Sequence, residues 1–163
     1  MPFQTMAVTA LISPAVLQDA PAILELQRLA YQSEAKLYND WSLPPLMQTL
    51  ESLREEFSHS NVLKAVAAEH IIGSVRARAV DGLGQIGRLI VHPDHQGQGL
   101  GSELLKRAEV ALREVSIFEL FTGTRSEANI RLYQRHGYRI SRTQALSPTV
   151  SITFMQKSAL NPQ

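Results

Sequence analysis

Three glycines at alternate positions, in Gln96-Gly97-Gln98-Gly99-Leu100-Gly101, stand directly ahead of an apolar stripe of helical period. Such a turn exposes backbone N–H groups with no Cβ in front of them, and it feeds a helix N-terminus whose dipole favours an anion. The chemistry this suits is the grip of a phosphate or pyrophosphate. The spacing is not the G-x-G-x-x-G of dinucleotide folds, and the lysine followed by serine or threonine of a P-loop is missing. Read alone, the segment is also a loop rich in glycine because it turns sharply. Just upstream, His92 and His95 stand three apart and invite a metal reading, but no third ligand follows at useful spacing, so no metal is expected. From Leu120 onward, Arg125, Arg131, Arg135, Arg139 and Arg142 are set against a single acid, Glu127. That run is a nucleic-acid patch or a solvated face. Without interleaved exposed aromatics, and with a net charge of +1, a nucleic-acid partner is not expected.

Period and turn chemistry supply the elements that must position these residues. A short apolar stretch lies near Val8 to Ile12, and Asp19 reads as an N-cap before Pro21, with Ile23, Leu26, Gln27 and Ala30 at helical spacing. Leu46, Leu50, Leu53 and Phe57 predict a second helix after Pro44-Pro45. Val62 to Ala68, Ile71 to Val80 and Ile86 to Val91 read as a meander of three strands, with Asp81-Gly82 as a turn. Leu100 to Val115 has a helical period, and Ile117 to Thr122 reads as a buried strand. Ser126 to His136 is a short helix ended by Gly137, followed by Tyr138 to Thr143 and Val150 to Met155 as a closing antiparallel pair. With 163 residues, the chain is expected to be one α/β domain over 1–163 with a mixed sheet. The turn after Val91 sits at the carboxyl end of a strand where connections diverge, a favoured place for a ligand. The absence of cysteine excludes a disulfide framework and a thiol nucleophile and fits a reducing compartment. No apolar run approaches the roughly 20 residues of a membrane span, and Met1 to Ser13 lacks a leader pattern, so a cytoplasmic protein without a membrane partner is expected.

The glycine turn matches a glutamine or arginine, two residues, glycine, one residue, then glycine or alanine. It is preceded by Leu89-x-Val91-x-Pro93 and followed by Leu104-Leu105. A second block, Asn129-Ile130-Arg131-Leu132-Tyr133 and then Arg135-His136-Gly137-Tyr138, follows at the right separation. On these two motifs, within about 84–138, the chain resembles the GNAT superfamily of N-acetyltransferases. The helices over about 14–57 match that family's acceptor side in pattern only. The resemblance implies a central mixed, mostly antiparallel sheet of six to seven strands flanked by about four helices. It also implies acetyl-CoA as the acyl donor and a primary amine as acceptor. The backbone of Ile90 and Val91 would then bind the pantetheine arm as an extra strand. Gln96, Gly97, Gln98, Gly99, Leu100, Gly101 and Ser102 would hold the pyrophosphate, Asn129 the pantetheine, and Arg135 the adenosine end. Homodimerisation is common among relatives, and Val150 to Met155 is the expected contact strand.

Acyl transfer to an amine needs a neutral nitrogen, donors for the oxyanion and stabilisation of the departing thiolate. By the resemblance, a backbone N–H near Val91 serves the oxyanion and Tyr133 is the catalytic residue at the sulfur. Unperturbed values of roughly 10 for tyrosine and 8.5 for a thiol make full proton transfer uphill by about 2 kcal/mol, so a hydrogen bond from Tyr133 suffices as its expected role. Many relatives carry a glutamate where this chain has Gln85, and glutamine cannot accept the proton. Glu34, Glu119, His92 and an ordered water remain open as the base. Tyr31, Glu34, Tyr38 and Trp41 are the expected acceptor pocket. A small-molecule amine, a peptide or protein amine, and a non-catalytic acyl-CoA sensor are the alternatives for function.

Overall fold

The computed structural model describes residues 9–159, which leaves Val8 and the rest of the N-terminal stretch outside. One mixed sheet of seven strands runs in the order β1-β2-β3-β4-β5-β7-β6. Its strands are β1 Leu11–Pro14, β2 Asn61–Ala67, β3 His70–Val80, β4 Leu83–Val91, β5 Ile117–Gly123, β6 Arg139–Ala145 and β7 Ser151–Ser158. The α-helical segments are α1 Ala20–Ala30, α2 Gln32–Tyr38, α3 Pro44–Met47, α4 Leu50–Glu56, α5 Leu100–Ala111 and α6 Glu127–Arg135.

The expected meander is β2-β3-β4, closed by two-residue turns at Ala68-Glu69 and Asp81-Gly82, all four residues having positive φ. This is the geometry that matches strand twist in tight hairpins. α5 covers one face of the sheet and buries Leu104, Leu105 and Ala108 against Val75, Ala77, Ile86 and Phe118. On the other face α1 and α4 bury Ile23, Leu24 and Leu53 with Val62 of β2. Asp19 stands at the start of α1, but its side chain does not cap that helix. Its carboxylate instead accepts from the Val16 N–H and from Lys64 Nζ of β2, each at 2.8 Å, which ties α1 to the sheet. Burial works against ionisation of Asp19, yet the Lys64 and Val16 bonds prevail and hold its carboxyl below the usual value.

Two features set up the site. β5 returns parallel to β4 through α5, but the two strands pair only at Leu83↔Ile117, Gly84↔Phe118 and Gln85↔Glu119. Beyond Gln85 they separate, and β4 has no strand beside it on that edge. The last strand, β7, does not close the sheet. It inserts between β5 and β6, so both its edges are paired and it has no free backbone edge for a partner. The outer edge belongs to β6, whose seven residues are all exposed.

Candidate active site

The gap between β4 and β5 is the floor of a cavity of about 770 Å³, within the range of small-molecule sites. Ile90 and Val91 line it from β4, and Phe121, Thr122 and Gly123 from β5. At one end stands the glycine turn. Gly97 and Gly99 have φ of +78° and +84°, a conformation that L side chains rarely adopt, and a Cβ on either would project into open space. Glycine is needed here for backbone shape, and the space before it is free for a guest. Gly99 is the N-cap of α5, a helix of 12 residues, so its first N–H groups and its dipole point at that space. Gln96, Gly97, Gly99, Leu100, Gly101 and Ser102 all line the cavity, whereas the exposed Gln98 does not. The Gln96 side chain donates to the Val91 carbonyl at 3.3 Å, and the Ser102 hydroxyl lies 2.9 Å from His136 Nε2. From α6 come Asn129, bonded to Thr122 Oγ1 at 3.3 Å, and Arg135. The turn, the open strand edge and the guanidinium of Arg135 form a cradle that fits an elongated anion with a phosphate-rich end.

Tyr133 also lines this cavity, packed edge-on against Tyr138 with ring centres 6.1 Å apart. Its hydroxyl bonds no described residue. Burial raises its pKa above the usual tyrosine value, and the nearby Tyr31 and Glu34 add to the rise. Tyr133 is therefore a donor that keeps its proton. Glu34, on α2, accepts from Ser126 Oγ at 2.6 Å; Ser126 in turn lies 3.2 Å from the Tyr38 hydroxyl, which accepts the Arg125 N–H at 2.8 Å. Tyr31, Glu34 and Tyr38 stand in the wall as expected, but Trp41 is 51% exposed and lies outside it. Of the three side chains considered as a base, only Glu34 shares the cavity with Tyr133. Glu119 lies in a neighbouring cavity of about 410 Å³ and accepts from Gln156 at 2.8 Å. His92 lines neither; its Nδ1 accepts the Asp94 N–H at 3.0 Å, and its ring stands 5.7 Å from that of His95. Among the described residues no cluster of three metal-ligating side chains joins these two.

Gly87 and Arg88, absent from the sequence expectations, stand at the centre of the opening. Gly87 pairs with Arg76 and Ile90 with Ser74, so Arg88 and Leu89 together oppose Val75 as a β-bulge. Arg88 sits in the left-handed region with φ of 51°, which costs a residue with a Cβ roughly 1–2 kcal/mol. The one signal for it in the sequence is a glycine inside a strand, which marks a bulge or a close approach. Tyr31, Ile86, Gly87, Arg88 and Phe121 line both cavities and so form their common wall.

The family model described as Acetyltransferase (GNAT) family matches residues 20–138. Solved structures of like fold include the ribosomal-protein-S18-alanine N-acetyltransferase of Escherichia coli, 17% identical with a TM-score of 0.77 over 95% of this chain and 97% of that one. The PaiA N-acetyltransferase of Thermoplasma acidophilum, solved in complex with coenzyme A, is 16% identical, with a TM-score of 0.75 over 92% and 99%. YncA of Salmonella typhimurium, solved with its cofactor acetyl-CoA, is 22% identical, with a TM-score of 0.73 over 95% and 96%. A curated relative, the uncharacterized N-acetyltransferase YjcF of Bacillus subtilis (strain 168), is 27% identical over 96 residues, which span 59% of this chain and 66% of that protein, just under two thirds of its length. The family model runs from the first helix through both motifs to Tyr138 and thus takes in the splayed strands and the glycine turn: the chain belongs to the GNAT acetyltransferase family.

Proposed function

We propose that the protein is an acetyl-CoA-dependent N-acetyltransferase that acetylates a primary amine of a small molecule, with one catalytic domain over the chain. The observation that carries this reading is the shared cavity. The glycine turn, the unpaired edge of β4 and a tyrosine hydroxyl that bonds no described residue all open onto one space. The coenzyme A and acetyl-CoA bound to PaiA and YncA support the donor.

In this reading the thioester supplies an activated acetyl group. Gln96, Gly97 and Gly99 to Ser102 hold the pyrophosphate through backbone N–H groups, Ile90 and Val91 bond the pantetheine arm, and Asn129 and Arg135 bind along α6. The acceptor arrives as an ammonium and gives one proton to Glu34, which passes it to water. The nitrogen lone pair then forms the N–C bond while a backbone N–H near Val91 donates to the oxyanion. As the C–S bond breaks, the second nitrogen proton passes to water, the Tyr133 O–H donates a hydrogen bond to the departing thiolate, and water returns one proton to the sulfur, so the ammonium's two protons end one on coenzyme A and one in solvent. Glu34 takes the place of the carboxylate missing at Gln85, and it weighs against a non-catalytic sensor. A peptide or protein acceptor is the second reading, favoured by the E. coli likeness, whose name assigns it a protein alanine. Cytoplasmic residence rests on the cysteine-free sequence and homodimerisation on the family resemblance; an edge-to-edge dimer would use β6.

The test is acetyl-CoA-dependent thiol release across amines and short peptides, repeated with Gly99→Glu. That substitution places a carboxylate and an unfavourable backbone at the phosphate cradle, so donor binding should fall at least a hundredfold. Donor binding that survives unchanged would overturn the assignment.

A further inference from the structure

Among the described residues Arg88 is a cation without an ion-pair partner, and the polar group beside it is the Tyr31 hydroxyl. The Arg88 Nε is buried with no hydrogen bond. The neighbouring Arg76 takes the nearby acceptors, Glu56 at 3.4 Å and the Gln27 side-chain oxygen at 2.6 Å. Burial pushes Arg76 down to about 10; Glu56 opposes this and the charge of Arg88 reinforces it, so the two guanidinium groups are close enough to feel each other. The other carboxylate of the smaller cavity, Glu119, is engaged by Gln156. Positive charge is thus left over at the wall common to both cavities.

The larger cavity also carries the opposite charge, on Glu34. Tyr31, raised above the usual tyrosine value by burial, is pulled down by Arg88 through its charge and a hydrogen bond and pushed up by Glu34, so both charges act on one hydroxyl. A guest with an ammonium beside Glu34 and a carboxylate beside Arg88 would satisfy both. The planar fork of arginine is shaped for a carboxylate. Access is open, because Gly87, next to Arg88, has no Cβ and nothing lies within 4 Å of where one would be. The bulge supplies the reason for the strained backbone, since a residue held in a sparse conformation at the head of a cavity marks a functional position.

We infer that Arg88 receives the carboxylate of the acceptor, which is therefore an amino acid or another amine carrying a carboxylate close to the reacting nitrogen. This rests on the acyl-transfer reading above and narrows its substrate class.

Two measurements separate the inference from that reading. In the first, thiol release is compared for alanine, methionine, phenylalanine and glutamate and for their α-carboxamides. The wild type should favour the carboxylate of each pair tenfold to a hundredfold in kcat/KM, the worth of a charge-assisted bond. In Arg88→Gly, where glycine suits the left-handed backbone and keeps the fold, the ratio should drop to within threefold of one. In the second, calorimetry with coenzyme A present compares N-acetylalanine with N-acetylalaninamide as product-side probes. The carboxylate should bind at least tenfold tighter, and only when Arg88 is present. Amides that react and bind as well as the acids, or a preference that survives in Arg88→Gly, would overturn the inference and leave acyl transfer standing. Thiol release absent with every amine, alongside Arg88-dependent binding of N-acetylalanine, would overturn acyl transfer and leave the anion site standing.

Discussion

Gly123 closes β5 beneath the ring of Tyr38, and a single methyl there should be costly. A Cβ built at Gly123 falls 2.0 Å from the Tyr38 hydroxyl oxygen and 2.6 Å from Cζ, so Gly123→Ala forces the ring to move. Tyr38 is 4% exposed, and its hydroxyl is fixed by the Arg125 N–H and by Ser126, so it has nowhere to go without losing both bonds. Overpacking costs about 1–3 kcal/mol. Each lost bond adds about 0.5–1.5 kcal/mol. The entropy gained from alanine in the unfolded chain returns about 0.4–1 kcal/mol. A net loss of about 3 kcal/mol follows, or a fall in Tm of about 6–12 °C for a domain of this size. Urea unfolding followed by circular dichroism measures it. In a Tyr38→Leu background, where the ring tip is absent, Gly123→Ala should become neutral. A wild-type background cost below about 0.5 kcal/mol, or an equal cost in both backgrounds, would refute the reasoning. Because Ser126 also holds Glu34, Gly123→Ala should weaken acceptor turnover more than donor binding.

Tyr133→Phe should lower kcat roughly tenfold to a hundredfold with little change in donor affinity, as steady-state kinetics would read. Because the Tyr133 pKa is raised, its hydroxyl stays protonated through pH 10, and no alkaline loss of kcat from this group should appear below that pH; a limb near pH 9 that disappears in Tyr133→Phe would contradict the assignment. Glu34→Gln should lower kcat/KM for the acceptor about a hundredfold with donor affinity unchanged, the general range for one acid–base group. An unchanged kcat/KM would return the role to water.

How much of this was readable beforehand depends on whether a residue's conformation is set locally. Asp81-Gly82 is visible as a turn because glycine tolerates its φ of 80°, whereas Ala68-Glu69 makes the same kind of turn with φ of 49° and 67° and sends no signal. The strand expected through Ala68 accordingly stops at Ala67. Leu46, Leu50, Leu53 and Phe57 have the spacing of one helix, yet Gln48 adopts ψ of 135° and divides it into α3 and α4. The cause is tertiary: Gln27 donates to the Gln48 side chain and to the Pro45 carbonyl. The glycine turn and Tyr133 were legible because a motif fixes their spacing. Arg88 was not, since its place depends on a strand that leaves its neighbour. Glu34 could not be singled out among the candidates for a base, because the bond that holds it in the cavity wall comes from Ser126, 92 residues away. Apolar pattern identified Val150 to Met155 as a strand but carried nothing about which strands lie on either side of it.

The seam of three residue pairs between β4 and β5 divides the sheet into a four-strand leaf and a three-strand leaf. Few backbone bonds cross this seam, and the two leaves are joined there chiefly by side chains, with Ile86, Phe118 and Leu120 packed in one core with α5. A ligand lying along the open edge acts as a fastener between them. Its binding energy reappears as stability of the whole, by about 2.7 kcal/mol at a hundredfold excess over Kd. In the proposed reading, the ligand would lie where the two leaves part and would complete the sheet there.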